Sequence, residues 1–262
     1  MAEGFVSRKS RAEIEKMRRA GRLVAEVLAL VESELRPGVS TAHLDRIAER
    51  HILAGGGIPS FKGYLGGGRY GRGRGAYPGS LCVSIDEEVV HGIPGDRMVR
   101  DGQLVGIDAG AVVDGWHGDA ARTFIVGEAS PAAVALVDAT RLALMAGIAA
   151  ATPGNHIGDI SAAIEDVALA HGYGVVRPFT GHGIGTQMHE PPNVPNYRTG
   201  HRGMKLQPGL CLAIEPMFML GRDDVDLGRD GWTVVTRDGS LAAHFEHTIA
   251  VTESGPEILT TI

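Results

Sequence analysis

Cysteine is scarce in this chain, with Cys82 and Cys211 the only two among 262 residues. Two thiols cannot make a disulfide framework, so the fold has to rest on an apolar core, and a reducing compartment is compatible. Long unbroken apolar runs are missing as well. The N-terminal stretch MAEGFVSRKSRAEIEK has no apolar segment of signal-peptide type. The most apolar long stretch, Val134 to Ala151, is interrupted by Asp138 and Arg141, so no membrane span is expected. An excess of positive charge is also absent. Lys and Arg number 25 against 31 Asp and Glu, a net charge of −6, which argues against a general nucleic-acid binder and against specific DNA binding. What remains is a cytoplasmic globular protein with ordinary apolar content, 44%, and the expectation of an enzyme. Glycine is abundant instead. Its 38 residues imply tight turns and places where backbone approaches something closely.

Ser10-Arg11-Ala12-Glu13 is a capping-box pattern, and Ile14, Met17, Gly21, Val24, Leu28, Val31 and Leu35 then recur at helical spacing until Pro37-Gly38. A second helix starts near Ser40 or Thr41, carries Leu44, Ile47, Ala48 and Ile52, and ends at Gly55-Gly56-Gly57. The same order returns half a chain later. Ser130-Pro131 opens a helix running to about Ala151, and a shorter one carries Ile160, Ile164, Val167 and Leu169 up to Gly172. Strand-like segments follow each pair: SLCVSID and QLVGID, then LCLAIEP and HFEHTIAV. The repeat predicts an α+β fold, pseudo-twofold, with helices packed on a mainly antiparallel sheet and a cleft between the halves. We expect one domain over 1–262, with a short N-terminal segment 1–9 and a Gly/Arg-rich surface loop 63–75 carrying Arg69, Arg72 and Arg74.

The strongest local signal is QLVGIDAGAVVDGWHGDAARTFIV, residues 103–126. Asp114-Gly115 suits a two-residue hairpin turn, which sets Gly110 opposite Asp119. Asp108 then shares a face with Asp119 as a diagonal neighbour, unless a bulge intervenes. Two such carboxylates repel each other unless a cation lies between them. Alone they would read as solvated hairpin residues. Glu215 in LCLAIEP, Glu246 in HFEHTIAV and His182 in GHGIG change that, because unpaired carboxylates in apolar strands are costly. Phe245, Ile249 and Val251 mark the apolar face opposite Glu246, and the glycines around His182 leave room for its ring. Four carboxylates and one neutral imidazole supply −4, the charge of two divalent cations. Oxygen-dominated ligation with one imidazole suits Mn, Fe, Co or Zn.

With those residues in order, the sequence resembles the type I methionine aminopeptidases of the metal-dependent pita-bread family. The resemblance runs through YPGSLCVSI, HGIP, GIDAG, DGWHGDAARTF, GHGIG, MHEPP, LAIEPM and the segment ending HFEHTIAVT. It implies a pita-bread fold and a cytoplasmic hydrolase that removes the initiator methionine from nascent polypeptides with a small second residue. It implies that Asp108, Asp119, His182, Glu215 and Glu246 ligate two ions, with Asp119 and Glu246 bridging, Asp108 a bidentate ligand of one ion, and His182 and Glu215 ligands of the other. Glu215 would shuttle a proton, His91 would contact the substrate's main chain or N-terminus, and His189 would hydrogen-bond the scissile carbonyl or tetrahedral intermediate. Tyr77, Cys82, Met188, His189 and Trp232 would meet the substrate, with Tyr77, Cys82 and Trp232 lining the methionine pocket.

Three departures from the family pattern stand out. Met188 replaces a frequent aromatic, the Gly/Arg segment with Arg74 replaces a shorter aromatic stretch, and Asp86 replaces a usual Asn and bears on a nearby loop or auxiliary cation site. A monomer is expected, with a contact between the arginine loop and the ribosome as a lesser alternative to a plain surface loop. The competing readings are an Xaa-Pro aminopeptidase or prolidase on the same fold, and a non-catalytic pita-bread module that binds proteins.

Overall fold

The computed structural model describes residues 6–65 and 75–262. Its helices are α1 (Arg11–Glu34), α2 (Thr41–Ala54), α3 (Pro131–Ala150) and α4 (Ile157–His171). Each begins where the sequence supplies a partner for the free N–H groups of a first turn. Ser10 Oγ accepts from Glu13 N, and the Glu13 carboxylate accepts from Ser10 N at 2.7 Å, so the capping box is complete. Ser40 and Ser130 cap α2 and α3 through the hydroxyl alone, accepting from His43 N and Ala133 N, with Pro131 at the first helical position. Gly172 ends α4 with φ of +71°.

The α1–α2 pair packs Val24, Leu28, Leu44 and Ile52 onto Leu81, Val83, Val105 and Ile107. The α3–α4 pair packs Leu136, Leu144, Ile160 and Ile164 onto Leu212, Ile214, Ile249 and Val251. Each helix pair thus covers its own sheet, which is the halved organisation the sequence repeat predicts. One face assignment needs correction. Leu169 is 67% exposed, because nine steps of about 100° put it opposite Ile160, and buried Ala168 continues the core stripe instead. Helix α3 is long and apolar enough to cross a membrane by composition, and half of its most apolar window is buried within the fold.

Among the described residues, all the strand pairings are antiparallel. In the first half, Leu104–Val113 is flanked by Leu81–Ile85 and Trp116–Ile125. In the second, Cys211–Ile214 lies between His247–Thr252 and Gly181–Gly183, which in turn pairs with Glu190–Val194. HFEHTIAV is not one strand. Ala242–His244 pairs with Met217–Met219, His247–Thr252 pairs with Cys211–Ile214, and the chain breaks at Phe245-Glu246. The cause faces it: Pro216 has no N–H to continue a ladder, and its carbonyl accepts from Phe245 N instead.

A seam joins the halves. Ala121 N donates to Glu246 O, and Glu246 N donates to Ala121 O at 2.9 Å. On either side, Thr248 Oγ1 bonds both backbone groups of Asp119, and Thr123 Oγ1 bonds both backbone groups of His244. The candidate site lies along this seam.

Candidate metal centre

Asp114 and Gly115 take φ of 50° and 79°, the left-handed pair that a two-residue hairpin turn requires. The ladder beyond is regular, with Gly110 opposite Asp119 and Asp108 opposite Ala121. Asp108 and Asp119 therefore share a face as the hairpin register predicts. The seam adds Glu246 directly beside Ala121, and Glu215 lies just past the end of Cys211–Ile214, its carbonyl held by Asn196 Nδ2 at 3.0 Å.

His182 completes the group. Its Nδ1 lies 2.8 Å from Gly183 O, which places the ring proton on Nδ1 and leaves Nε2 as an acceptor facing the acids. That Nε2 stands 3.6 Å from Glu215 Oε1 and 4.0 Å from Asp119 Oδ2. The flanking glycines have a different purpose from giving the imidazole room. A Cβ on Gly181 would lie 2.4 Å from Ala213 O, and one on Gly183 would lie 2.3 Å from Pro191 O, so neighbouring strands could not approach.

Sequence reasoning missed His244. It is 4% exposed, and its Nε2 lies 3.9 Å from Glu215 Oε2 and 3.8 Å from Glu246 Oε2. Two donor triplets result, Asp119–His182–Glu246 and Glu215–His244–Glu246, each with ligand atoms within 4.8 Å of one another and with Glu246 in common.

The electrostatics of the cluster call for cations. Burial and the neighbouring carboxylates push Asp119, Glu215 and Glu246 well above the ordinary carboxylate range, and burial takes Asp108 to about 7. Burial holds His182 and His244 down at about 3, so both rings are neutral. Among the described residues, seven buried side-chain polar atoms lack a hydrogen-bond partner. Four of them belong to this cluster: Asp108 Oδ1, Asp119 Oδ1, His244 Nε2 and Glu246 Oε1. Unpaired acceptors converging in a dry cluster fit divalent cations held by oxygen and imidazole nitrogen.

A soft, aromatic pocket abuts the acids. Tyr77, Cys82, Met188 and Trp232 form one buried cluster with Phe61, and Cys82 is the cross-strand partner of Asp108. Tyr77 stands edge-on to Trp232 at 5.2 Å, its hydroxyl donating to Leu81 O and Gly92 O. His189 leans against His182, with ring centroids 4.3 Å apart and planes tilted by 52°. His91 takes φ of 61° and stands edge-on to Phe179 at 5.4 Å, a left-handed backbone of the kind kept at functional positions. Asp119, His182, Glu215 and Glu246 thus lie close together along the seam, with Asp108 on the same hairpin face and Tyr77, Cys82, Met188 and Trp232 in the adjoining pocket.

Tyr64 is a second omission. It packs on the pocket, and its hydroxyl lies 2.8 Å from His189 Nδ1. It belongs to the stretch 63–75 expected to be a Gly/Arg-rich surface loop, which disguised it. Arg69, Arg72 and Arg74 lie outside the described residues. Asp86 is spoken for locally, accepting from Leu104 N and Gln103 Nε2 in a turn with φ of 58°.

Residues 15–253 match the model of metallopeptidase family M24. The chain belongs to this family. Within M24 it stands with the methionine aminopeptidases. The "Methionine aminopeptidase" of Clostridium acetobutylicum is 49% identical over 96% of this chain and 97% of its own length. The crystal structure of methionine aminopeptidase from Thermotoga maritima superposes with a TM-score of 0.93 at 41% identity, covering 98% of this chain and all of that one. The architecture is therefore the pita-bread fold, and this M24 protein is a metallo-aminopeptidase that uses divalent metal. A prolidase from Pyrococcus furiosus shares the fold at 21% identity and a TM-score of 0.75, and the chain covers 65% of its length.

Proposed function

We propose that this M24 enzyme removes the N-terminal methionine from nascent polypeptides whose second residue is small. The observation that carries the reading is the convergence of unpaired buried donors from both halves of the fold beside a pocket of sulfur and aromatic surface. Asp108, Asp119, His182, Glu215 and Glu246 would hold two divalent ions of the Mn, Fe, Co or Zn class, with Glu246, common to both triplets, as a shared ligand. Bound there, such ions supply Lewis acidity and water of lowered pKa at neutral pH.

The rest falls to the chain's own side chains. Tyr77, Cys82, Met188 and Trp232 present polarisable and apolar surface to a thioether. Glu215, at the edge of the acid cluster, takes the proton from the attacking water and returns it to the leaving amine. For His189 to donate from Nε2 to the scissile carbonyl as negative charge develops, Nδ1 accepts from the Tyr64 hydroxyl 2.8 Å away. His91 contacts the substrate's main chain. Placing the free α-amino group against the acidic cluster restricts cleavage to the first residue.

The free, buried thiols of Cys82 and Cys211 suit a reducing cytoplasm, where nascent N-termini are the substrates. We take the enzyme to act as a single-domain monomer, with Arg69, Arg72 and Arg74 available for a salt-sensitive ribosomal contact. The deciding experiment compares kcat/KM for Met-Gly-Met with that for Xaa-Pro dipeptides after metal loading. Turnover of the former alone is expected, and turnover of the latter alone overturns the assignment. Asp108→Ala should fold yet lose turnover, and an unchanged rate would overturn the metal mechanism.

A further inference from the structure

We propose that His244 is a metal ligand, its imidazole joining Glu215 and Glu246 in a second cation position. The centre then has two histidine donors, one on each side of Glu215. This inference rests on the metal-dependent reading above, and it assigns to the centre a residue outside the five named for it.

The geometry around Glu215 is two-sided. His182 Nε2 faces Oε1 at 3.6 Å, and His244 Nε2 faces Oε2 at 3.9 Å. His244 Nε2 also faces Glu246 Oε2 at 3.8 Å. These separations are too long for N–H···O hydrogen bonds, which close to about 2.7–3.2 Å. They match two ligand atoms on one ion, which at ~2.1 Å from the metal lie roughly 3–4 Å apart. The atom that would bind is buried and has no hydrogen-bond partner. With the ring proton on Nδ1, the Nε2 lone pair and the two carboxylate oxygens converge on one gap of 3.8–3.9 Å, and a cation placed there takes all three as ligands.

The residue is also held where a ligand must be. Thr123 Oγ1 accepts from His244 N and donates to His244 O, both at 2.9 Å. Thr248 brackets the backbone of Asp119 in the same manner. The two hydroxyls flank the seam, fixing one candidate ligand on each side of the Ala121–Glu246 pairing. Ordering His244 this firmly in an apolar run, AAHFE, is what a ligand requires. A second imidazole raises the nitrogen share of the donor set and moves its preference from Mn toward Co and Zn.

The test uses the full-length protein, stripped of metal and reloaded with Zn, as wild type, His244→Gln and His182→Gln. X-ray absorption counts the imidazoles per pair of ions, and calorimetry gives the affinity of each equivalent. Two imidazoles are expected in the wild type and one in each variant, with the second equivalent at least ~10-fold weaker in His244→Gln. Unchanged far-UV circular dichroism and His244→Asn as a second replacement guard against misfolding. A wild type that binds two ions through one imidazole, with His244→Gln unchanged in count and affinity, overturns the inference alone. A wild type that binds no divalent ion overturns the metal reading and this inference with it.

Discussion

Threonines 123 and 248 show how single residues hold this site together. Each hydroxyl satisfies both backbone groups of a residue whose side chain enters the acid cluster. Thr248→Val keeps the shape and removes the bracket, stranding the buried N–H and carbonyl of Asp119. A loss of ~1–3 kcal/mol is expected from chemical denaturation, together with weaker metal binding by calorimetry. Loss of stability without loss of metal affinity would mean that Asp119 is positioned by other contacts. Gly181→Ala tests close approach, since its Cβ would meet Ala213 O. Thermal melts should show destabilisation of about 2–4 kcal/mol. At this scale the acids were legible because charge in apolar strands demands a partner, and the hairpin turn fixed the relation of Asp108 to Asp119. His244 was not legible, because a histidine between Ala243 and Phe245 reads equally well as a satisfied core residue. Only the fold shows that its Nε2 has no partner.

At the scale of elements, caps and breakers made the helices readable, since Ser10, Ser40, Ser130 and Gly172 act within a few residues of themselves. The hairpin was readable for the same reason. The break at Phe245-Glu246 was not, because its cause, Pro216, lies on a different segment that the sequence does not show to be adjacent. Lys9 escaped notice likewise. It pairs with Glu190 at 2.6 Å across 181 residues and ties the N-terminal segment to the loop carrying His189. That loop is also held from the other side by Tyr64. Tyr64→Phe removes the hydroxyl bonded to His189 Nδ1 and leaves the pocket surface in place. The expected outcome in steady-state kinetics on Met-Gly-Met is a kcat lower by about tenfold with little change in KM. A rise in KM at constant kcat would instead assign Tyr64 to substrate binding.

For the whole molecule, the acid cluster makes stability depend on pH and metal together, and the sign can be worked out. In the unfolded chain carboxyls titrate near ~4. In the folded, metal-free protein Asp108 titrates at about 7, and Asp119, Glu215 and Glu246 are pushed up as well. The folded form therefore holds more protons than the unfolded chain across that window, and raising pH through it removes stability. His182 and His244 act in the opposite direction. Their folded values of about 3 lie below the ~6.5 of an unfolded histidine, so they favour folding as pH rises toward ~6.5. Above ~6.5 these histidines are neutral in both states and drop out, leaving the carboxylates alone. A chelated sample should thus lose thermal stability between about pH 6.5 and pH 8. A sample saturated with divalent cation should lose little, because the charge that repels in the empty cluster is then neutralised. The gap in Tm between the two should widen with pH. A constant gap over that range would mean that the acids are already ionised in the folded, metal-free protein, with something other than metal compensating their charge.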